Sequence, residues 1–272
     1  MTKQSISPSI PDHFGAWRVA DEAFARAYSR TGDRGRACIK SCIAALYRQS
    51  RTDGPVSSAV SSKYGDGLTR LEEITPRPWF VLAVSPEISS PSMLVSAVMP
   101  ALAARIPLAF AVRPKGRGGW PRPMLTALEL CGVEHTFSPP LEELKRCLSF
   151  LAREYGPGGV ACLGPDAFER RIRAIVPEGG AVCGLNPPSM GLLETPGVDW
   201  NRETLDFCLS GTVMQVHSDP AALAAAGHGA VFAPARFAPS SARLVIGPGR
   251  EFLWEWPDLP VELFFARRLV YS

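Results

Sequence analysis

The feature that most restricts this chain is an alternation beginning at Trp79, in which short apolar runs take turns with amphipathic stretches of helical period. Residues 79–85 read WFVLAVS, residues 92–105 suit a helix, and residues 108–113 (LAFAVR) are a second apolar run. Residues 123–131 then suit a helix, 133–137 a strand, 141–155 a longer helix, 160–163 a strand, 167–175 a helix and 181–185 a strand. Strands that are apolar throughout need cover on both faces, and a strand–helix–strand repeat supplies it through right-handed crossovers. The expected fold class is α/β, with a doubly wound, largely parallel sheet.

The flanks read differently. Over residues 21–51, Phe24, Tyr28, Ile39, Cys42, Ile43 and Tyr47 recur at helical spacing, and Thr31-Gly32-Asp33 breaks the run into two helices with Asp33 as a cap. Residues 52–67 are rich in Gly, Ser and Asp and are expected to be a loop. The chain thus divides into an N-terminal helical segment and linker (1–70) and an α/β domain with a C-terminal β extension (71–272). Beyond Pro187 the alternation is irregular: 212–217, 230–233 and 243–246 are strand-like and 220–226 is a short helix. Residues 251–256 and 261–270 flank Pro257-Asp258-Leu259-Pro260 and predict a C-terminal antiparallel hairpin.

Composition excludes several classes. With 46% hydrophobic and 20% charged residues, the chain can build a packed core. The net charge is +3 and no basic face stands out, which argues against nucleic acid as partner. The most apolar stretch, 93–112, is interrupted by Pro100, Arg105 and Pro107, so no membrane span is expected, and residues 1–11 lack the apolar core of a secretory signal. A cytoplasmic location follows as the expectation. The seven cysteines include no CxxC pair and read as reduced thiols. Cys38 and Cys42 would share a helix face and offer two metal ligands, but no second pair follows, so no metal is expected.

Residues 79–164 resemble the nucleotide-fold portion of histidinol dehydrogenases and, more remotely, the aldehyde dehydrogenase superfamily. The resemblance rests on an apolar strand ending in Ser85-Pro86, then SPSMLVSAVMPALAARIP, a second strand, and PMLTALELCGVEHTF, whose Gly132-Val133 turn leads into a third strand. It covers about a third of the chain. The Glu-His elements that bind metal and act in histidinol dehydrogenases have no counterpart here, nor does the aldehyde dehydrogenase nucleophile motif. What the resemblance implies is a related, Rossmann-like fold, with NAD or NADP as the cofactors to consider; it carries over no activity.

In open α/β sheets, ligands bind beyond the carboxyl ends of the strands. That rule selects the loops 85–92, 113–120, 164–166 and 184–189. Ser85 and Gly164 begin two of these loops. Lys115, Gly116 and Arg117 combine cations with a glycine that allows close backbone approach to an anion, so these five residues are the candidate cofactor contacts. Asp166 can cap the helix that follows Gly164. Cys183 lies at a strand end near Asn186 and Ser189, and the sequence offers His135 or His217 as its base; Cys183 and His217 are the candidate catalytic residues. His228, between two glycines, offers a second imidazole for proton transfer, but without an HxH, HxxxH or HExxH spacing the histidines read first as surface or turn residues. Three readings stay open: a protein binding a nucleotide or small anionic ligand without proven catalysis, an NAD(P)-dependent oxidoreductase with an unusual site, and a noncatalytic protein that works as a homo-oligomer.

Overall fold

The computed structural model describes residues 7–49, 57–115, 118–133 and 135–272. Its centre is a five-stranded parallel sheet built from β3 (Trp79–Val84), β4 (Leu108–Val112), β5 (Thr136–Phe137), β6 (Gly159–Leu163) and β7 (Ala181–Leu185), in the order β5-β4-β3-β6-β7. The helices α3 (Pro91–Ala103), α4 (Arg122–Cys131), α5 (Leu141–Tyr155) and α6 (Asp166–Arg173) make the crossovers. The chain runs from β3 outward through β4 to β5, then returns past β3 to β6. The strand order reverses between β3 and β6.

Period-two alternation sends the strand side chains to two different cores. Phe80, Leu82, Val84, Ala111, Ala161 and Leu163 face α3 and α4. Trp79, Val81, Phe110, Val112, Val160 and Cys162 face α5 and α6. On α5, Leu144, Leu148 and Leu151 recur at helical spacing and are fully buried, each contributing roughly 1.5–3 kcal/mol of transfer free energy. Gly132 ends α4 in the left-handed region at φ 75°, the conformation that favours glycine past a helix end. The doubly wound sheet expected from the sequence is present, with α5 and β7 at their predicted bounds.

A second parallel sheet follows, in the order β11-β10-β8-β9, from β8 (Met190–Leu193), β9 (Met214–His217), β10 (Ala230–Phe232) and β11 (Leu244–Ile246). Helix α7 (Arg202–Cys208) covers the face that joins the main core and α8 (Pro220–Ala225) covers the other. β8 and α7 lie where the sequence pattern was irregular and had no counterpart among the expected elements. The N-terminal helices α1 (Asp21–Arg30) and α2 (Asp33–Gln49) pack against α4 and α3. Asp33 is the first helical residue, and it pairs with Arg36. Ahead of them, Phe14 crosses to the other face and packs against Phe137, with ring centroids 4.8 Å apart and the rings tilted by 45°.

Two expectations need correction. Part of the expected 52–67 loop is β1 (Ser58–Lys63), which pairs antiparallel with β2 (Thr69–Pro76); residues 50–56 lie outside the described residues. The last strand, β12 (Phe265–Tyr271), is antiparallel as expected, yet its partner is β2, and residues 251–256 form no strand. Those residues instead bury Trp254 and Trp256 in the main core, and Trp256 Nε1 donates to Met93 O at 3.1 Å. Apolar anchoring there outweighs strand pairing. Among the described residues, no helix is long and apolar enough to cross a membrane.

Candidate functional site

The strand ends place Ser85 and Gly164 side by side where the strand order reverses, the position at which ligands bind in folds of this type. Ser85 is buried; its N–H donates to Leu163 O at 2.8 Å and its Oγ accepts from Glu87 N at 3.4 Å. Gly164 N–H donates to Leu185 O at 3.1 Å. A Cβ on Gly164 would lie 2.4 Å from the Ser85 Cβ, and its φ is +153°, so only glycine fits without strain. Asp166 does not cap α6: the N-cap is Pro165, without a side-chain bond, and Asp166 Oδ1 accepts from Asn186 Nδ2 at 2.9 Å. Proline ahead of the first turn leaves Asp166 inside the helix, free to tie the β6 loop to the β7 loop.

The loop after β3 is held by the second half of the chain. Ser89 Oγ donates to Ser210 O at 2.8 Å, and Ser210 Oγ donates back to Ser89 O at 2.7 Å. Ser90 Oγ donates to Cys208 O and Ser92 Oγ to Phe252 O. These bonds cover the start of α3 with protein.

On the β4 side the chain places cations. Arg113 is 5% exposed; its guanidinium donates to Pro86 O at 2.7 Å and Ile88 O at 2.8 Å. Its Nε has no partner, and among the described residues no carboxylate pairs with it. Burial pulls its pKa down to about 10. The Trp120 ring lies 5.8 Å from the guanidinium carbon. Lys115 holds its backbone N–H on Pro139 O, and its Nζ sits 4.9 Å from the Trp17 ring centroid, toward the N-terminal segment. Gly116 and Arg117 lie outside the described residues. Arg113 belonged to the expected loop 113–120 but was not singled out, because sequence alone does not show that a strand-end arginine turns inward.

Cys183 is half-buried on β7, with its Sγ 3.5 Å from Gly184 O. Burial, then Glu169, push its thiol above the ordinary range. Residues Gly184, Asn186 and Pro188 form one wall of a cavity of about 170 Å³ closed by Trp254, Trp256 and Leu259. His217 ends β9 in the other sheet, and its Nε2 lies 2.9 Å from the Nε2 of His228. The structure thus joins His217 to His228, eleven residues away, and places Cys183 on a separate sheet.

A larger open cleft of about 730 Å³ lies between α2 and α7, lined by Arg34, Cys38, Asn201, Arg202, Thr204 and Glu251 among others. It holds charges of both signs, and Arg34 pairs with Glu203 at its edge. No group of three or more His, Cys, Asp or Glu suited to a metal ion occurs among the described residues. The residue pattern gave no sign of this cleft, because its walls are separated by more than 150 positions.

No protein-family model matches the chain, and no curated protein matches it by sequence. Solved structures do. The structure of histidinol dehydrogenase from Elizabethkingia anophelis is similar at a TM-score of 0.55 and 10% identity, over 94% of this chain and 76% of that one. An NAD-dependent benzaldehyde dehydrogenase from Corynebacterium glutamicum gives 0.49 and 10%, over 92% of this chain and 84% of that one. An oxidoreductase from Marinobacter aquaeolei gives 0.44 and 12%, over 75% of this chain, which spans 48% of its length. At these identities the likeness is one of architecture, and the chain has a dehydrogenase-like fold similar to that of histidinol dehydrogenase.

Proposed function

We propose that this protein binds a nucleotide or another small anionic ligand at the carboxyl ends of β3, β4, β6 and β7, with Ser85, Lys115, Gly116, Arg117 and Gly164 as the contacts. The observation that carries this reading is Arg113, a buried cation at the end of β4 with no carboxylate partner among the described residues. A desolvated guanidinium held by two carbonyls, the Met124 sulfur and the face of Trp120, with no carboxylate among the described residues, leaves a positive potential that an anion would offset. The surrounding sequence agrees: residues 108–128 contain Arg113, Lys115, Arg117 and Arg122 and no acid. The likeness to histidinol dehydrogenase makes NAD and NADP the first ligands to test. Seven free thiols and no disulfide suit a reducing compartment, in keeping with a cytoplasmic protein.

The test is thermal unfolding with NAD, NADP, single nucleotides and inorganic phosphate, repeated on Lys115→Ala/Arg117→Ala. A ligand that binds only the folded state at a hundred times its Kd adds about 2.7 kcal/mol of stability. A rise with one of these ligands that the double variant loses supports the reading, and no rise with any of them overturns it.

A second reading, self-association, has its own support. The β1-β2-β12 sheet leaves β1 and β12 as open edges, and Val60, Tyr64, Leu269 and Tyr271 are exposed on it. Open edges bearing apolar side chains are templates for pairing with another chain. Sedimentation of the whole chain and of a form ending at Phe264 tests this: a dimer that the shorter form loses fits, and a monomer in both rejects it.

A further inference from the structure

We propose that the cavity between the end of β7 and the segment 254–260 binds one small neutral aromatic molecule carrying a hydrogen-bond acceptor, such as an aryl ketone, with the indole N–H of Trp254 as its donor. The cavity, of about 170 Å³, lies where the two parallel sheets meet: Gly184 and Asn186 come from the end of β7, and Gly229 and Leu244 from the amino ends of β10 and β11. This site goes beyond anion binding at the strand ends, since it needs neither Lys115 nor Arg117.

The wall opposite β7 takes its shape from the run WEWPDLP at 254–260. Trp256 Nε1 donates to Met93 O at 3.1 Å, and Leu259 N–H donates to Trp256 O at 3.2 Å. Pro257 and Pro260 each fix one backbone dihedral. Arg243, also on the lining, pairs with Asp258 of this segment. These ties hold the segment off the end of β7.

The walls select the occupant. Trp254 lines the cavity and is 1% exposed, and its Nε1 is buried without a hydrogen-bond partner. An indole N–H only donates, and a buried donor left unpaired costs free energy, so a molecule that completes the site brings an acceptor. The rings of Trp254 and Trp256 meet edge to face, with centroids 5.6 Å apart and planes at 70°, an arrangement that a third ring can extend. An apolar cavity of roughly 150 Å³ holds one benzene, so about 170 Å³ suits a single ring with a small substituent. Charged ligands fit poorly. A carboxylate would exchange its hydration for one neutral N–H, because the lining cation Arg243 already pairs with Asp258. An ammonium brings no acceptor for the indole.

The test titrates the whole protein with acetophenone and with isopropylbenzene, which has the same shape without the acceptor, and follows the six indole N–H resonances by NMR. The resonance of Trp254 is the one that Trp254→Phe lacks. The expected result is a saturable downfield shift of that resonance with acetophenone, and binding about fivefold weaker for isopropylbenzene, the difference that one neutral hydrogen bond makes. Trp254→Phe should bind the two probes equally, and Leu259→Trp should fill the space and bind neither. Lys115→Ala/Arg117→Ala should bind acetophenone as the wild type does. No saturable shift, a shift spread equally over the six indoles, or equal binding of the two probes by the wild type overturns the proposal. Acetophenone binding that the double variant loses places the probe at the strand-end loops and overturns it as well. The wild-type titrations decide this even where a variant does not fold.

Discussion

His217 and His228 meet with their Nε2 atoms 2.9 Å apart and their ring centroids at 5.1 Å, both side chains buried in the second sheet. In a neutral pair one Nε2 carries hydrogen and donates to the other. The Nδ1 of His228 is buried without a partner. Burial, then the charge of His217, lower the pKa of His228. With a folded value below the unfolded one, the unfolded chain takes up more protons as acid is added. The pair's contribution is therefore present above an unfolded histidine's value near ~6.5 and lost as pH falls below it. The urea midpoint should drop between neutral pH and about pH 5, and drop less in His228→Gln. Equal drops in both proteins would place the acid sensitivity elsewhere.

Gly164 has no room for a side chain. Its Cβ would meet the Ser85 Cβ at 2.4 Å, on a backbone at φ +153°. Gly164→Ala should cost about 1–3 kcal/mol from the strained backbone, with the overlap adding to it. Ser85→Gly in the same chain removes the atom that is struck and should recover the steric part alone. Urea denaturation of the two variants reads both parts, and a Gly164→Ala protein as stable as the wild type would mean that the β3 and β6 loops separate readily.

Arg113 organises the β3 loop by gripping Pro86 O and Ile88 O from the end of β4. Arg113→Met keeps much of the stem but leaves both carbonyls without this donor, a loss of about 1–3 kcal/mol for buried groups after the relief of charge burial. Arg113→Lys keeps the charge and lacks the planar fork, so it should also lose stability while retaining more anion binding than Met. Denaturation and phosphate titration together separate the two roles.

The sequence made the first sheet legible because its strands are apolar throughout and its crossover helices carry a clear period: α5 at Leu141–Tyr155 is where Leu144, Leu148 and Leu151 put it. The second sheet was half legible, since β8 has four residues and α7 seven, too short for periodicity to stand out. Register between distant strands was hidden. Residues 265–271 pair with 70–76, a contact that Arg267–Glu72 and Arg268–Glu73 mark only once the strands are side by side. The strand-end loops could be placed in advance, because topology alone puts Ser85 and Gly164 together. The inward turn of Arg113 and the His217–His228 contact depend on packing across elements, and no spacing in the chain encodes them.

Ser90 couples the two sheets through one hydroxyl. Its Oγ accepts from Met93 N at 3.2 Å, capping α3, and donates to Cys208 O at 2.7 Å, at the end of α7. Ser90→Ala removes the cap, worth about 0.5–2 kcal/mol. It also leaves a buried carbonyl short of a donor, worth about 1–3 kcal/mol. The sum should exceed the loss in Ser89→Ala, whose partner Ser210 keeps its own bond to Ser89 O. Because Cys208 O is one of the two acceptor ends, the damage should also loosen α7, and hydrogen exchange of residues 202–208 should rise in Ser90→Ala while that of α5, on the far face of the first sheet, stays as in the wild type. Equal exchange in α7 and α5 would mean that Ser90 acts on global stability alone and does not join the two sheets.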